Sequence, residues 1–245
     1  YFPPMITEAS RDPMGQAMLD YYHGQLNAEI RVLSNVAEED VIVAKYLFRN
    51  VASMPDWEQQ ALDECEGSVL DIGAGAGSHT LALQARGHEV RAIDISPGAV
   101  EVMQARGVYR ASHQSIWQFE GEQFDTLLML MNGIGLVGDL NGLLRFLHHA
   151  RTLLRPGGQI LMDSSDIAYL FQYNDQALEL LLRPKYYGIV EYQMIYQQSR
   201  STRFQWLFID HKKLREMALK AGYQVDLLAE GDHFQYLARL TLTKN

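Results

Sequence analysis

A chain of 245 residues, 47% hydrophobic and 21% charged, is enough for one globular domain with a full core and an appended cap. Its formal charge of −9 and its lack of any Lys/Arg run disfavour nucleic-acid phosphates and anionic lipid surfaces as partners. The single cysteine, Cys65, excludes an intrachain disulfide and a cysteine-built zinc cluster, and fits a reducing compartment.

The first residues, YFPPMITEASRDP, lack the basic start and apolar core of a secretory signal. No apolar run approaches the roughly 18 residues of a membrane span, so the expectation is a soluble cytoplasmic protein. Asp12 reads as a helix N-cap with Pro13 at the first helical position. Met14, Ala17, Met18 and Tyr21 then share one face, and Gly24 ends the helix. Two readings stay open for residues 25–50: AEIRVL alternates weakly, and VIVAKYLF is either strand or buried helix. Ser53 and Pro55 open a short helix, PDWEQQALDEC. Residues 1–66 are read as a helical N-terminal cap over a ligand mouth, with packing on a sheet edge as the alternative. Tyr21, Tyr22, Tyr46 and Arg49 are its candidates to close on a ligand, although core packing is the commoner fate of such tyrosines.

SVLDIGAGAG, residues 68–77, is the stretch that organises the chain. Val69, Leu70 and Ile72 form a strand, the glycines at 73, 75 and 77 a turn, and SHTLALQAR a helix. Glycine permits positive φ and lets a ligand approach where a Cβ would collide, while helix-opening amides can donate to it. Asp71 closes the strand; its carboxylate is a poor neighbour for a pyrophosphate and a good one for an ammonium or sulfonium group. The next strand, HEVRAI, ends at Asp94, about 20 residues on, the spacing of an acid that accepts from ribose hydroxyls. Ser96 and Pro97 begin the following helix, which stops at Gly107.

Residues 108–112 read as a short third strand, and FDTLLMLM (124–131) as a fourth, nearly all apolar and so covered on both faces. Asn141 caps the helix LLRFLHHARTLL; Pro156, Gly157 and Gly158 stop it before the fifth strand, QILMD. This alternation argues a doubly wound, mostly parallel sheet. An insertion at about 164–209 holds a helix over 167–182 and two strands around QQSRST. Tyr192 lies on one strand face and Trp206 on the other; these aromatic faces suit a substrate wall, a homodimer contact or plain core. The tail is a helix ending at Gly222 and two strands too close in sequence to be parallel.

DIGAGAG at 71–77 and AIDIS at 92–96 resemble the first and second motifs of the class I S-adenosylmethionine (SAM)-dependent methyltransferases. The resemblance extends over roughly 67–158 and again from about 210 to the C-terminus. It implies a methyltransferase domain at 67–245 with the insertion at 164–209, and a seven-stranded sheet of order 3-2-1-4-5-7-6 whose last strand is antiparallel. Asp71, Gly73, Ala74 and Gly75 would line the methionine end of the cofactor, Asp94 would hold the ribose, and Ile95 would lie against the adenine. Gln114 and Ser115 fall where the family contacts the adenine. Asn132 and Gly133 fall where cofactor and acceptor meet. Asp163, at the carboxyl end of the fifth strand, is the candidate base if the acceptor is a hydroxyl, or else a helix cap in SSD. His79, in the first turn after the glycines, and Arg49, suited to the methionine carboxylate, complete the set with the substrate candidates Tyr21, Tyr22, Tyr192 and Trp206. No His/Asp/Glu spacing suggests a metal.

DNA amino-methylating members carry a proline signature where this chain has NGIG, and cytosine-carbon methylation needs a cysteine after the fourth strand. The expectation is therefore SAM-dependent methyl transfer to a small molecule. A non-catalytic SAM-binding protein is the alternative, and an NAD-dependent oxidoreductase a lesser one that leaves Asp71 and the terminal hairpin unexplained.

Overall fold

The computed structural model describes residues 7–171 and 185–243. The N-terminal segment runs α1 (Pro13–Tyr22), β1 (Glu29–Ser34), β2 (Asp40–Val43), α2 (Ala44–Leu47) and α3 (Asp56–Asp63). The repeating unit follows as β3 (Val69–Ile72), α4 (Ser78–Ala85), β4 (Val90–Asp94), α5 (Pro97–Ala105), β5 (Ala111–His113), β6 (Phe124–Met129), α6 (Leu140–Leu153) and β7 (Leu154–Ser165). Then come β8 (Ile189–Tyr196), β9 (Ser199–Arg200), β10 (Phe204–Leu207), α7 (His211–Lys220), β11 (Tyr223–Glu230) and β12 (Gln235–Leu242).

The main sheet has seven strands in the order β11-β12-β7-β6-β3-β4-β5. Counted along their own sequence this is 3-2-1-4-5-7-6, as expected. β3 pairs in parallel with β4 and β6, while β12 runs antiparallel to both β7 and β11. β3 is buried along its whole length and β6 nearly so, which is why both are apolar apart from Asp71 in the first and Asp125 and Thr126 in the second. Leu70, Leu127, Phe146, Leu147 and Ile160 meet in the core between this sheet and α6, each with no exposed surface. The strand ends that carry Asp71, Asp94 and Met129 are thereby held as a fixed rim. The cap of α6 is Asp139, whose Oδ1 accepts from Gly142 N at 2.7 Å, rather than Asn141.

The N-terminal segment is not helical throughout. Residues 29–34 and 40–43 form a hairpin, and VIVAKYLF turns out to be both things at once: its first half completes β2 and its second half is α2. β1 also pairs antiparallel with β8, which pairs with β10, giving a second sheet of order β10-β8-β1-β2 with β9 on β8. Cap and insertion thus share one sheet. The inserted hairpin is present; the helix read over 167–182 falls mostly outside the described residues, of which Ala168–Phe171 make a 3-10 turn.

α1 crosses α5 at a glycine contact. A Cβ on Gly98 would stand 2.6 Å from the Gly15 carbonyl carbon. The Asp12 carboxylate caps α1 through Gly15 N at 2.9 Å and also accepts from Ser96 Oγ at 2.7 Å and Gly98 N at 3.1 Å. One buried acid therefore caps two helices and fixes the segment beside Asp94.

Candidate active site

Between the two sheets lies a cavity of about 980 Å³. Its floor is the turn after β3. Gly73 and Gly75 have φ of +74° and +55°, left-handed values that glycine adopts without strain. A Cβ on Gly75 would meet nothing within 4 Å, and one on Gly73 only Leu136 Cδ2 at 4.0 Å. The space above the turn is thus cavity, and a side chain would project into it. Gly75 N donates to Asp94 Oδ2 at 2.9 Å and Ser96 N to Oδ1 at 2.8 Å. Asp94 is thereby aimed at the cavity with a lone pair free on each oxygen. Burial pushes its carboxyl up to about 6, against the two amide bonds and with help from the Asp12 and Asp71 charges. Asp71 is also buried and raised by desolvation; Thr80 Oγ1 donates to it at 2.5 Å.

Ile95, Gln114, Ser115 and Ile116 line the end of the floor beyond Asp94. Ser115 is buried, and Gln114 N donates to Asp94 O at 2.9 Å. At the other end β6 gives way to Met131 and Asn132, both left-handed at φ 62° and 54°. Two successive non-glycine residues in this region store strain that the surroundings must hold. Asp163 supplies part of the hold, accepting from Asn132 N at 2.7 Å, while Ser165 Oγ donates to Asn132 Oδ1 at 3.1 Å.

The roof is the second sheet. Val32 and Ile42 come from β1 and β2, Tyr192 from β8, Phe204 and Trp206 from β10, all lining the cavity. Gly135 is small for a reason: a Cβ there would lie 2.0 Å from Trp206 Nε1, so the indole seats directly on this turn. The rings of Tyr192 and Phe204 are 6.1 Å apart and those of Phe204 and Trp206 6.2 Å, forming a continuous aromatic wall. Burial, with the Asp40 and Tyr169 charges, pushes the Tyr192 hydroxyl up to about 12.

A family model described as a methyltransferase domain matches residues 69–158. A SAM-dependent methyltransferase from Bacteroides fragilis, solved with S-adenosyl-L-homocysteine (SAH), is 43% identical and superposes with a TM-score of 0.91 over 99% of both chains. This chain belongs to the class I SAM-dependent methyltransferases. Its cofactor is SAM. A demethylmenaquinone methyltransferase of Tropheryma whipplei is 28% identical over 151 residues, 57% of this chain and 60% of its own. A tRNA U34 carboxymethyltransferase of Idiomarina loihiensis is 30% identical over 128 residues, 44% of this chain and 38% of its own. The chain therefore spans less than two thirds of the length of these curated relatives.

The methyltransferase's floor fits its cofactor on its own geometry: the open space over Gly73 and Gly75, the aimed Asp94 carboxylate, and the buried Asp71. Ala74, Ile95, Gln114, Ser115, Asn132 and Gly133 all line the same cavity, as do Arg49, His79, Tyr192 and Trp206. Tyr21 and Tyr22 do not. Tyr21 packs on Phe48 with ring centroids 4.7 Å apart, and the Tyr22 hydroxyl donates to Ala105 O at 3.1 Å. Asp163 is not a lining residue either. It sits behind the Met131–Asn132 turn, where its Oδ1 accepts from Asn132 N at 2.7 Å and so braces that turn. Among the described residues no three His, Cys, Asp or Glu side chains are grouped to hold a metal, and no helix is long and apolar enough to cross a membrane. Sequence reading missed Glu58, a 2%-exposed carboxylate of α3 that binds Arg49 and, at 2.8 Å, His79 Nε2. It also missed the roof residues of β1 and β2.

Burial, reinforced by the Glu58 charge, pushes Asp163 up to about 7, with the Asn132 amide, His79 and the Met131 amide opposing. The folded protein then holds this proton more tightly than the unfolded chain, and the group costs stability as pH rises from about 4 to about 7. Asp163→Asn removes that cost. Its stability relative to wild type should improve by up to about 1.4 kcal/mol per pH unit across the window, read from unfolding at pH 5 and pH 8. A mutant-to-wild-type difference independent of pH would refute this assignment.

Proposed function

We propose that this enzyme transfers the SAM methyl group to a small acceptor with a largely apolar body, bound under the second sheet. The observation that carries the reading is the roof: aliphatic and aromatic side chains of four strands close over the cofactor floor as one chamber. Among the described residues no lysine lines it, and its arginines are Arg11 and Arg49. A polynucleotide would require more phosphate-pairing cations than that, which favours a small molecule over RNA.

When bound, SAM supplies an electrophilic methyl on a positively charged sulfur. The chain's part is to bind, orient and exclude water. A lone pair on the acceptor forms the new bond to the methyl carbon as the carbon–sulfur bond breaks, leaving neutral SAH, and the acceptor sheds a proton where it carried one. Asp71 and Asp94 set the floor, the Met131–Asn132 turn lies at the end of β6 facing the roof, and Tyr192 and Trp206 press the acceptor toward it. Such positioning can contribute on the order of 7 to 11 kcal/mol to lowering the barrier.

Screening small amines, phenols and thiols for SAH release and a methylated product tests the reading; steady absence of turnover in the presence of bound SAM would oppose it. Once an acceptor is found, Trp206→Ala should lower kcat/KM for it by about 100-fold and change SAH affinity by less than about threefold. Equal loss in both would place Trp206 with the cofactor instead.

A further inference from the structure

Arg49 and His79 reach the cavity from different parts of the chain, the cap and the first turn of α4, and one buried oxygen joins them. Glu58 Oε2 accepts from Arg49 Nη2 and lies 2.8 Å from His79 Nε2. Arg49 Nη1 donates to Tyr46 O at 2.8 Å and lies 3.4 Å from Met131 Sδ, and the guanidinium rests 4.0 Å from the Tyr46 ring centroid. Arg49 is 8% exposed, and its Nε is buried without a partner. Glu58 itself does not line the cavity, whereas Arg49 and His79 do.

A buried guanidinium whose Nη groups are taken while Nε is unpaired is an incomplete arrangement; an anion at the cavity wall would complete it. The cofactor offers one anion, the carboxylate of its amino-acid end. Asp94 claims the opposite, ribose end, and Asp71 suits the ammonium. We propose that Glu58 is a positioning residue for the cofactor's amino-acid end, locking Arg49 and His79 into a joined donor pair that receives the carboxylate. The device ties cofactor recognition to the cap, since Arg49 belongs to the segment that follows α2 and Glu58 to α3. This rests on the methyltransferase reading.

Calorimetric titration with two ligands tests it: SAH, and 5′-methylthioadenosine, which keeps the nucleoside and the sulfur but has no amino-acid end. Glu58→Gln should weaken SAH at least about tenfold and methylthioadenosine less than about twofold, so that the preference for SAH collapses. Retained methylthioadenosine binding also shows that the variant is folded. Arg49→Lys, which keeps the charge and loses the Nε donor, should show the same selective loss. Equal weakening of both ligands, or of neither, overturns the inference, as does a wild type that binds both equally well. A wild type that binds neither ligand would instead sink the methyltransferase reading itself.

Discussion

Asp94→Ala should raise the Kd for SAM and SAH by at least about 100-fold, from loss of two charge-assisted bonds of roughly 1.5 to 3 kcal/mol each. The carboxylate is held by Gly75 N and Ser96 N, so its free lone pairs are aimed before any ligand arrives. With its pKa pushed up to about 6, it also makes a pH signature. A protonated Asp94 has lost part of its accepting capacity, so wild-type affinity should fall as pH drops through about 6, while Asp94→Ala lacks that component. Asp12 and Asp71 face the same carboxyl and work in the same direction, raising it. Calorimetry at pH 5.5 and 7.5 on both proteins checks the pair of expectations. An affinity change under about threefold in the mutant would mean that Asp94 does not hold the ribose.

Gly98→Val should be among the most damaging changes to stability anywhere in the protein. The new Cβ would stand 2.6 to 2.7 Å from the Gly15 carbonyl carbon, Cα and oxygen, all backbone atoms that no rotamer change can move. α1 must then lift from α5 and carry Asp12 away from Ser96 and Gly98 N, leaving buried donors unpaired. Overpacking together with a lost buried network costs about 3 kcal/mol or more, a fall in Tm of roughly 8 °C for a domain of this size. Differential scanning calorimetry measures it, and a shift under about 1 °C would show that the glycine contact is not structural.

The parts legible in the sequence are those encoded locally. GAGAG after a strand, two strand-end acids, and a strand pair too close to be parallel each leave a short-range trace, and together they fix floor and sheet order. The second sheet leaves almost none. β1 alternates over six residues and β2 covers only four, and what makes them a roof is pairing such as Val32 with Met194, far apart in the chain. Nothing local marks Glu58, because its partners Arg49 and His79 are brought to it only by folding. Asp163 belongs to a strand buried on both faces, where alternation cannot say which way a side chain points. Tyr21 and Tyr22 lie on α1, near the cavity in sequence logic but turned to Phe48 and Ala105 in space. Asn141 reads as the cap of α6, until the bond from Gly142 N gives that role to Asp139, two residues earlier.

The most direct test of the account is parallel calorimetric titration of the wild-type protein with SAM, SAH and NAD. Micromolar binding of SAM and SAH with no heat from NAD is the predicted result. It would place the sulfonium cofactor on the Gly73–Gly75 floor and leave the chamber above it for the acceptor. Binding of NAD without SAM or SAH would contradict the account and turn the same floor over to hydride chemistry.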